Sequence, residues 1–385
     1  YPSTIGAFQF DFAGGEFIKY GGFDSLGCDV AIIKYDSSGT KRLWATYLGG
    51  SRNDIPHSMI VNNKDELVLF GTTGSSNFPV TTGVYDQTFN GGDSIMYDNV
   101  ITYSRGIDIF VSKLSADGSK LIASTYIGGT KNDGMNYPSI LSKNYADGAR
   151  GEIMIDSQDN IYIASTTNST DFPVTSGAFQ PFAGGGGQDG CIFKFNSSLT
   201  NLIWSSYIGG SSNDAAYGIA IDKNSNVYIT GGTSSENFPV TASSLNKTYL
   251  GGYADGFITK ISSNGNTILN STFFGSIAYD QSYLIQLDKQ GNVYVYGQTA
   301  DTLNTLIWNA SWYVLKGGQF VSKLNADLSQ FIWSTVFGTG KGGPDISPTA
   351  FLVDLCNKIY LSGWGGATNG FGGTFGLPIT ADAFQ

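Results

Sequence analysis

The sequence is short of charge, of cysteine and histidine, of proline, and of long apolar runs. Charged residues make up only 14% of its 385 positions, well under the roughly 25% usual in soluble domains. The 41% of apolar residues still suffices for a core, which excludes a disordered chain. Ten prolines, with glycine not recurring at every third place, exclude collagen. No Ala/Glu/Lys/Leu-rich stretch repeats with a helical period, so coiled coils and helical bundles are excluded, and no run of 18 apolar residues supplies a transmembrane helix. Cys28, Cys191 and Cys356 form neither a CxxC pair nor a disulfide framework and read as small buried hydrophobes. The single histidine, His57, reads as a surface or turn residue, and multi-histidine metal sites are excluded. GxSxG, HExxH and P-loop patterns are absent. These absences give the expectation that the chain is not an enzyme.

Glycine and aromatic residues are in excess, with 52 Gly, 25 Phe, 22 Tyr and 6 Trp, as in a large, turn-rich, all-β fold. The formal charge of -10 and a pI near 4.5 repel a polyanion, so nucleic acid is not an expected partner. The first residue is Tyr1 rather than Met, which reads as a processed chain or a fragment.

An internal repeat organises the chain. The segment Asp189-Gly-Cys-Ile-Phe-Lys194 recurs at 29–34, 108–113, 255–260 and, with Gly318 in place of the Asp, 318–323. Twenty residues after the Lys, a Gly-rich loop ends in Asp54, Asp133, Asp214 or Asp280; the last copy reaches Asp345 after 22. An alternating stretch follows, with Asp preceding Tyr by six residues at Asp156/Tyr162, Asp222/Tyr228, Asp288/Tyr294 and Asp354/Tyr360. Phe-Pro-Val-Thr then appears at 78–81, 172–175 and 238–241, with relatives at 1–4 and 377–380; the fourth copy carries 303–313 instead. In the clearest period the alternation predicts strands at about 218–222, 227–232, 256–261 and 268–274. Four-stranded units in tandem stack radially as propeller blades. The periods run 29–107, 108–188, 189–254, 255–317 and 318–385, with 1–28 the end of a preceding one, and together make one β-propeller region over 1–385.

Four joined motifs carry a family resemblance: D-G-F-I-T-K at 255–260, W-S-S-Y-I-G-G-S-S-N-D at 204–214, I-A-I-D-K-N-S-N-V-Y-I-T-G at 219–231 and N-F-P-V-T at 237–241. The chain resembles the seven-bladed beta-propeller repeat (SBBP) family over essentially its whole length. Its segment 346–370 is also similar to propellers in large surface proteins of gliding bacteria exported by the type IX secretion system. The resemblance implies an extracellular, cell-surface module for adhesion or gliding motility. It also implies a surface glycan or protein as partner, beside other domains of the same polypeptide or the secretion machinery. Residues 2–9 and 378–385 occupy the same phase of the repeat. Five blades closed by a shared blade, or further blades beyond the ends, both fit that phase.

The long second-to-third connections, 72–106, 167–188, 233–254, 298–317 and 364–385, are expected on one face with the Gly-rich Asp loops, where binding residues gather. Asp54, Asp133, Asp214, Asp280 and Asp345 have two readings, as hard oxygen ligands for calcium or as carboxylates capping backbone N–H groups; recurrence in every period favours the second. Calcium is the one cofactor considered. Trp44, Trp204 and Trp333 share a fourth-strand position and read as packing, whereas Trp308, Trp312 and Trp364 fall in or beside the long connections and are candidate ligand-binding residues. Asp-Ser/Thr-apolar triplets resembling the O-glycosylation site of those gliding bacteria make Ser25, Ser94 and Thr302 modification candidates. The expected function is a non-catalytic interaction module. The alternatives are a carbohydrate-active enzyme using loop carboxylates such as Glu16 or Glu236, and a spacer domain of a giant secreted protein.

Overall fold

The structure, a computed structural model, describes residues 1–16, 18–20, 23–25, 27–97, 100–144, 147–365 and 375–383. The chain opens with two short strands, Ile18–Tyr20 (β1) and Phe23–Ser25 (β2), and a two-stranded sheet of Val30–Tyr35 (β3) and Arg42–Leu48 (β4). Four four-stranded sheets follow. The first holds Asp54–Val61 (β5), Leu67–Thr73 (β6), Asp108–Leu114 (β9) and Leu121–Ile127 (β10), and between β6 and β9 the strands Ile95–Tyr97 (β7) and Ile101–Tyr103 (β8) pair with β1 and β2 in a small sheet. The second holds Glu152–Ile155 (β11), Ile161–Thr167 (β12), Asp189–Phe195 (β13) and Leu202–Ile208 (β14). Asp214–Ile221 (β15), Val227–Thr233 (β16), Asp255–Ile261 (β17) and Ile268–Phe274 (β18) form the third; Asp280–Leu287 (β19), Val293–Thr299 (β20), Gln319–Leu324 (β21) and Phe331–Phe337 (β22) form the fourth. Ser347–Val353 (β23) and Ile359–Trp364 (β24) make a last pair.

In all four full sheets the strands lie in chain order and antiparallel, which is the blade of a β-propeller. The fold class is therefore all-β, a β-propeller of four-stranded blades. The chain divides into two compact units, one of Tyr1–Tyr137, Gly148–Ser176 and Cys191–Ser206, the other of Pro138–Asp147, Gly177–Gly190 and Tyr207–Gln385. The second strands β6, β12, β16 and β20 are buried along their whole length, so their β-branched and aromatic side chains fill the space on both faces of each sheet. Phe70 and Phe110, or Val295 and Phe320, are fully enclosed.

First strands begin earlier than the alternation predicts. β15 starts at Asp214, which pairs with Thr233, rather than at 218. The cause is a β-bulge: register passes from Ala216 opposite Gly231 to Gly218 opposite Thr230, leaving Tyr217 as an extra residue. The bulge breaks the two-residue period, so only the stretch beyond it reads as a strand. The same bulge places His57 in β5, Tyr283 in β19 and Thr349 in β23 as the extra residue. A glycine of the second strand, Gly71, Gly231, Gly297 or Gly363, pairs with the residue just before each one; a Cβ on Gly231 would lie 1.9 Å from the Ala215 carbonyl oxygen.

Candidate functional site

Each loop aspartate is committed to the backbone of the turn before it, and Asp54, Asp214 and Asp280 also open a first strand. Asp54 Oδ2 accepts from Gly50 N at 2.7 Å and from Ser75 Oγ at 3.1 Å. Asp214 repeats this with Gly210 N and Ser235 Oγ, and Asp133 with Gly129 N and Ser169 Oγ. Asp280 uses Ser276 N and Oγ, and Asp345 uses Thr339 N and Oγ1. Beside the first four sits a second buried or half-buried aspartate, Asp29, Asp108, Asp189 or Asp255, from the D-G-x-x-x-K motif. It accepts from the connection ahead of it: Ala13 N, Asn90 N with Gly91 N, Gly184 N, and Leu250 N respectively. The first glycine of the Gly-Gly pair lies between the carboxylates, since a Cβ on Gly209 would sit 2.1 Å from Asp189 Oδ1 and 2.8 Å from Asp214 Oδ2. Gly49 and Gly128 repeat this. In the fifth copy Gly318 replaces the second aspartate.

Burial raises all eight carboxyls, with Asp108 and Asp255 pushed up to about 8, Asp54, Asp133, Asp189 and Asp280 to about 7, and Asp29 and Asp214 to about 6. Among the described residues no three His, Cys, Asp or Glu side chains gather as metal ligands. In the first four copies the aspartates come in pairs, each holding down a loop.

The six-residue spacing of Asp and Tyr belongs to a second repeated assembly. Asp222 Oδ1 accepts from Asn224 N and Asn226 N, and its Oδ2 accepts from Asn226 Nδ2. Lys260 lies 3.7 Å from that carboxylate, with its ammonium 4.8 Å over the Tyr228 ring. Asp156, Tyr162 and Lys194 repeat the triad, as do Asp288, Tyr294 and Lys323. The first period reaches the same end differently: Asn62 holds the turn and Glu66, four residues on, pairs with Lys113 at 2.6 Å.

The bulges aim side chains into a buried polar cluster that the alternation did not reveal. Tyr217 and Tyr283 stack with centroids 5.3 Å apart and 9° between planes. The Tyr283 hydroxyl donates to Asp147 Oδ2 at 3.1 Å and receives Asn144 Nδ2 at 3.0 Å. Gln298 exchanges amide bonds with Asn144, and Gln281 Nε2 donates to the Leu141 carbonyl. The connection that carries Leu141, Asn144 and Asp147 is longer than its counterparts, and that insertion, 140–151, together with the glycines beside the bulges, was the sequence signal for this cluster. His57, the equivalent bulge residue of β5, stands within a strand and not in a turn. Burial pushes its imidazole down to about 3, and Thr72 Oγ1 lies 3.2 Å from its Nε2.

The Phe-Pro-Val-Thr segments are straps over the outer strand of their own blade. Thr81, Thr175 and Thr241 each donate their N–H to a fourth-strand carbonyl, of Ser124, Ser205 and Ser271, and their Oγ1 accepts the N–H of that same serine. Thr4 does the same to Ala45 of β4. The phenylalanine anchors the strap in the core, as where Phe238 lies 4.4 Å from Phe257 and Phe78 4.4 Å from Phe110. In the fourth copy Trp308 takes the place of the threonine, exchanging two backbone bonds with Ser334 of β22. The Trp312 carbonyl accepts from Thr335 Oγ1, and Val314 N donates to Val336 O.

Trp308 and Trp312 are 59% and 54% exposed, and Leu303, Tyr313 and Leu315 of the same connection are also exposed. Trp364 ends β24, 45% exposed; most of the glycine-rich stretch after it, 366–374, lies outside the described residues. Trp44 and Trp204 are buried, and Trp204 and Trp333 meet Tyr162 and Tyr294 edge-on. Ser94 and Thr302 are exposed, the latter on a turn held by Asp301; Ser25 stands in β2. All three cysteines are free thiols, and Cys356 is exposed in a turn, unlike the buried Cys191.

No curated protein matches the chain. Among solved structures it is similar to a protein of unknown function from Bacteroides caccae (10% identity, 91% of this chain and 82% of that one, TM-score 0.41) and to a mutant of NanB sialidase from Streptococcus pneumoniae (11%, 91% and 63%, TM-score 0.46). It is also similar to the polysaccharide lyase Uly1 (12%, 83% and 55%, TM-score 0.36). The expectation that the chain is not an enzyme is corrected here: enzymes are among the structures it matches, so the absence of catalytic motifs does not support that statement, which is withdrawn. A family model for the beta-propeller repeat SBBP matches residues 203–239, the segment of β14 to β16 and the strap at Phe238. The chain thus carries an SBBP beta-propeller repeat, recognised at 203–239.

Proposed function

We propose that this β-propeller is a recognition module that takes glycan through the aromatic strap at 303–315, on an exported protein displayed at a bacterial cell surface. One observation carries the reading. In the three Phe-Pro-Val-Thr straps a threonine side chain and a buried phenylalanine cover the fourth strand, whereas here Leu306 is the buried anchor, backbone bonds join Trp308 to β22 and the indole is left to solvent. A strap secured by its backbone has no structural need of two exposed tryptophans. Exposed indole faces stack on the C–H faces of sugar rings, and attachment to a strand edge holds them in place at low entropic cost. Display at the surface, in adhesion or gliding, rests on the sequence resemblance.

The test is a glycan array with soluble-sugar release followed in the same wells, so that binding and turnover are read together. Trp308→Ala with Trp312→Ala is expected to weaken the glycans bound by wild type at least tenfold, about 1.4 kcal/mol or more, with an unchanged thermal midpoint. An array without ligands, or one indifferent to both substitutions, overturns the proposal.

A further inference from the structure

The β15–β16 and β19–β20 turns line one cavity. The two turns share one construction, an aspartate whose Oδ1 accepts the N–H groups two and four residues on. That fixes the backbone and leaves the second turn position free to project. The five equivalent positions are Asn63, Ser157, Lys223, Lys289 and Leu355, so lysine occurs in two consecutive copies. A cavity of about 390 Å³ opens between those two turns, and both lysines line it together with Lys260.

The carboxylates around the cavity are already engaged. Asp222 holds its own turn and Lys260; Asp288 holds its own turn and Lys323, 2.9 Å away. Asp327, the further carboxylate felt at Tyr228, accepts from Ser329 N and Oγ. Lys223 and Lys289 are exposed and have no ion-pair partner among the described residues. Ile221, Leu287 and Ala326 supply apolar wall. A chain of net charge -10 thus presents, at one concave place, two uncompensated ammonium groups above a partly apolar floor.

We propose that this cavity binds an oxyanion, a sulfate, phosphate or carboxylate group, borne by a small polar molecule, with Lys223 and Lys289 as its two charged clamps. Charge-assisted N–H···O bonds from two sides recognise a polyoxygen anion better than a single lysine does. The apolar wall accommodates the ring or chain that carries it.

Calorimetric titration at low ionic strength with sodium sulfate, glucuronic acid and glucose tests the site. Saturable binding of sulfate or of glucuronate, but not of glucose, is expected; sulfate alone assigns a free inorganic anion and glucuronate a sugar-borne one. Lys223→Gln with Lys289→Gln should weaken binding at least tenfold, while Lys247→Gln, on an exposed connection elsewhere, leaves it unchanged. Both sets of substitutions are at exposed positions, and an unchanged thermal midpoint verifies folding. No saturable binding, or equal weakening by Lys247→Gln, or an unaffected double variant, overturns the proposal.

Discussion

At the scale of the residue, the first period shows the repeat solving one problem with two vocabularies. Asp156, Asp222 and Asp288 combine turn-holding and lysine-pairing in one carboxylate, with Asn160, Asn226 and Asn292 as the amide partner. Asn62 and Glu66 exchange those groups, and the side chain of Lys113, only 8% exposed, keeps its counter-charge. Glu66→Asn should therefore strand a buried ammonium and cost about 1–3 kcal/mol. Adding Asn62→Asp should restore most of the loss by rebuilding the arrangement of the other periods. Urea midpoints of the single and double variants decide it, and a double variant no better than the single one defeats the account. The Asp-to-Tyr spacing was legible in the sequence as a pattern. Its meaning was not, because the lysine that completes the triad lies some 30 to 50 residues away along the chain.

At the scale of the element, the straps answer the exposed-edge problem of the outermost strand. Thr241 contributes a backbone donor and a hydroxyl acceptor to one residue, Ser271. Thr241→Val keeps the shape and the first bond and removes the second, so it should lower stability by about 1 kcal/mol, read as a shifted denaturation midpoint. Four-stranded units and their approximate strand positions could be read directly, since the outer strands' irregularities, as at Leu269, fall at the very start of the strand and leave the rest of the alternation intact. The first strands were truncated in that reading because the bulges at His57, Tyr217 and Tyr283 interrupt the alternation. For the same reason the Tyr217–Tyr283 stack and its partners on the 138–147 connection stayed hidden. A bulge residue follows the face chosen by local backbone, not by sequence parity.

At the scale of the whole molecule, scarce surface charge goes with a concentration of buried carboxyls at the repeated turns. Asp29, Asp54, Asp108, Asp133, Asp189, Asp214, Asp255 and Asp280 all hold protons more tightly in the fold than in the unfolded chain, as burial disfavours their charged forms. Their contribution is fully present below about pH 4, the unfolded value, and is lost as pH rises through the folded values of about 6 to 8. The turn carboxyls Asp36, Asp117 and Asp156 are shifted the other way by hydrogen bonds, Asp156 despite its burial, so their contribution is lost only in stronger acid. Stability should accordingly be greater at pH 5 than at pH 8.5. Replacing Asp108 and Asp255 by Asn should flatten that slope; thermal midpoints across the range measure it, and a midpoint that rises toward pH 8.5 contradicts it.

The straps also bear on the order in which a growing chain matures. Thr81, Thr175 and Thr241 emerge about 30 to 43 residues ahead of the serine each one covers. On a chain delivered N-terminus first, whether from a ribosome or a translocation pore, each strap must wait for its fourth strand. Maturation then advances one period at a time, and a stalled chain holds a single unfastened strap at its growing end.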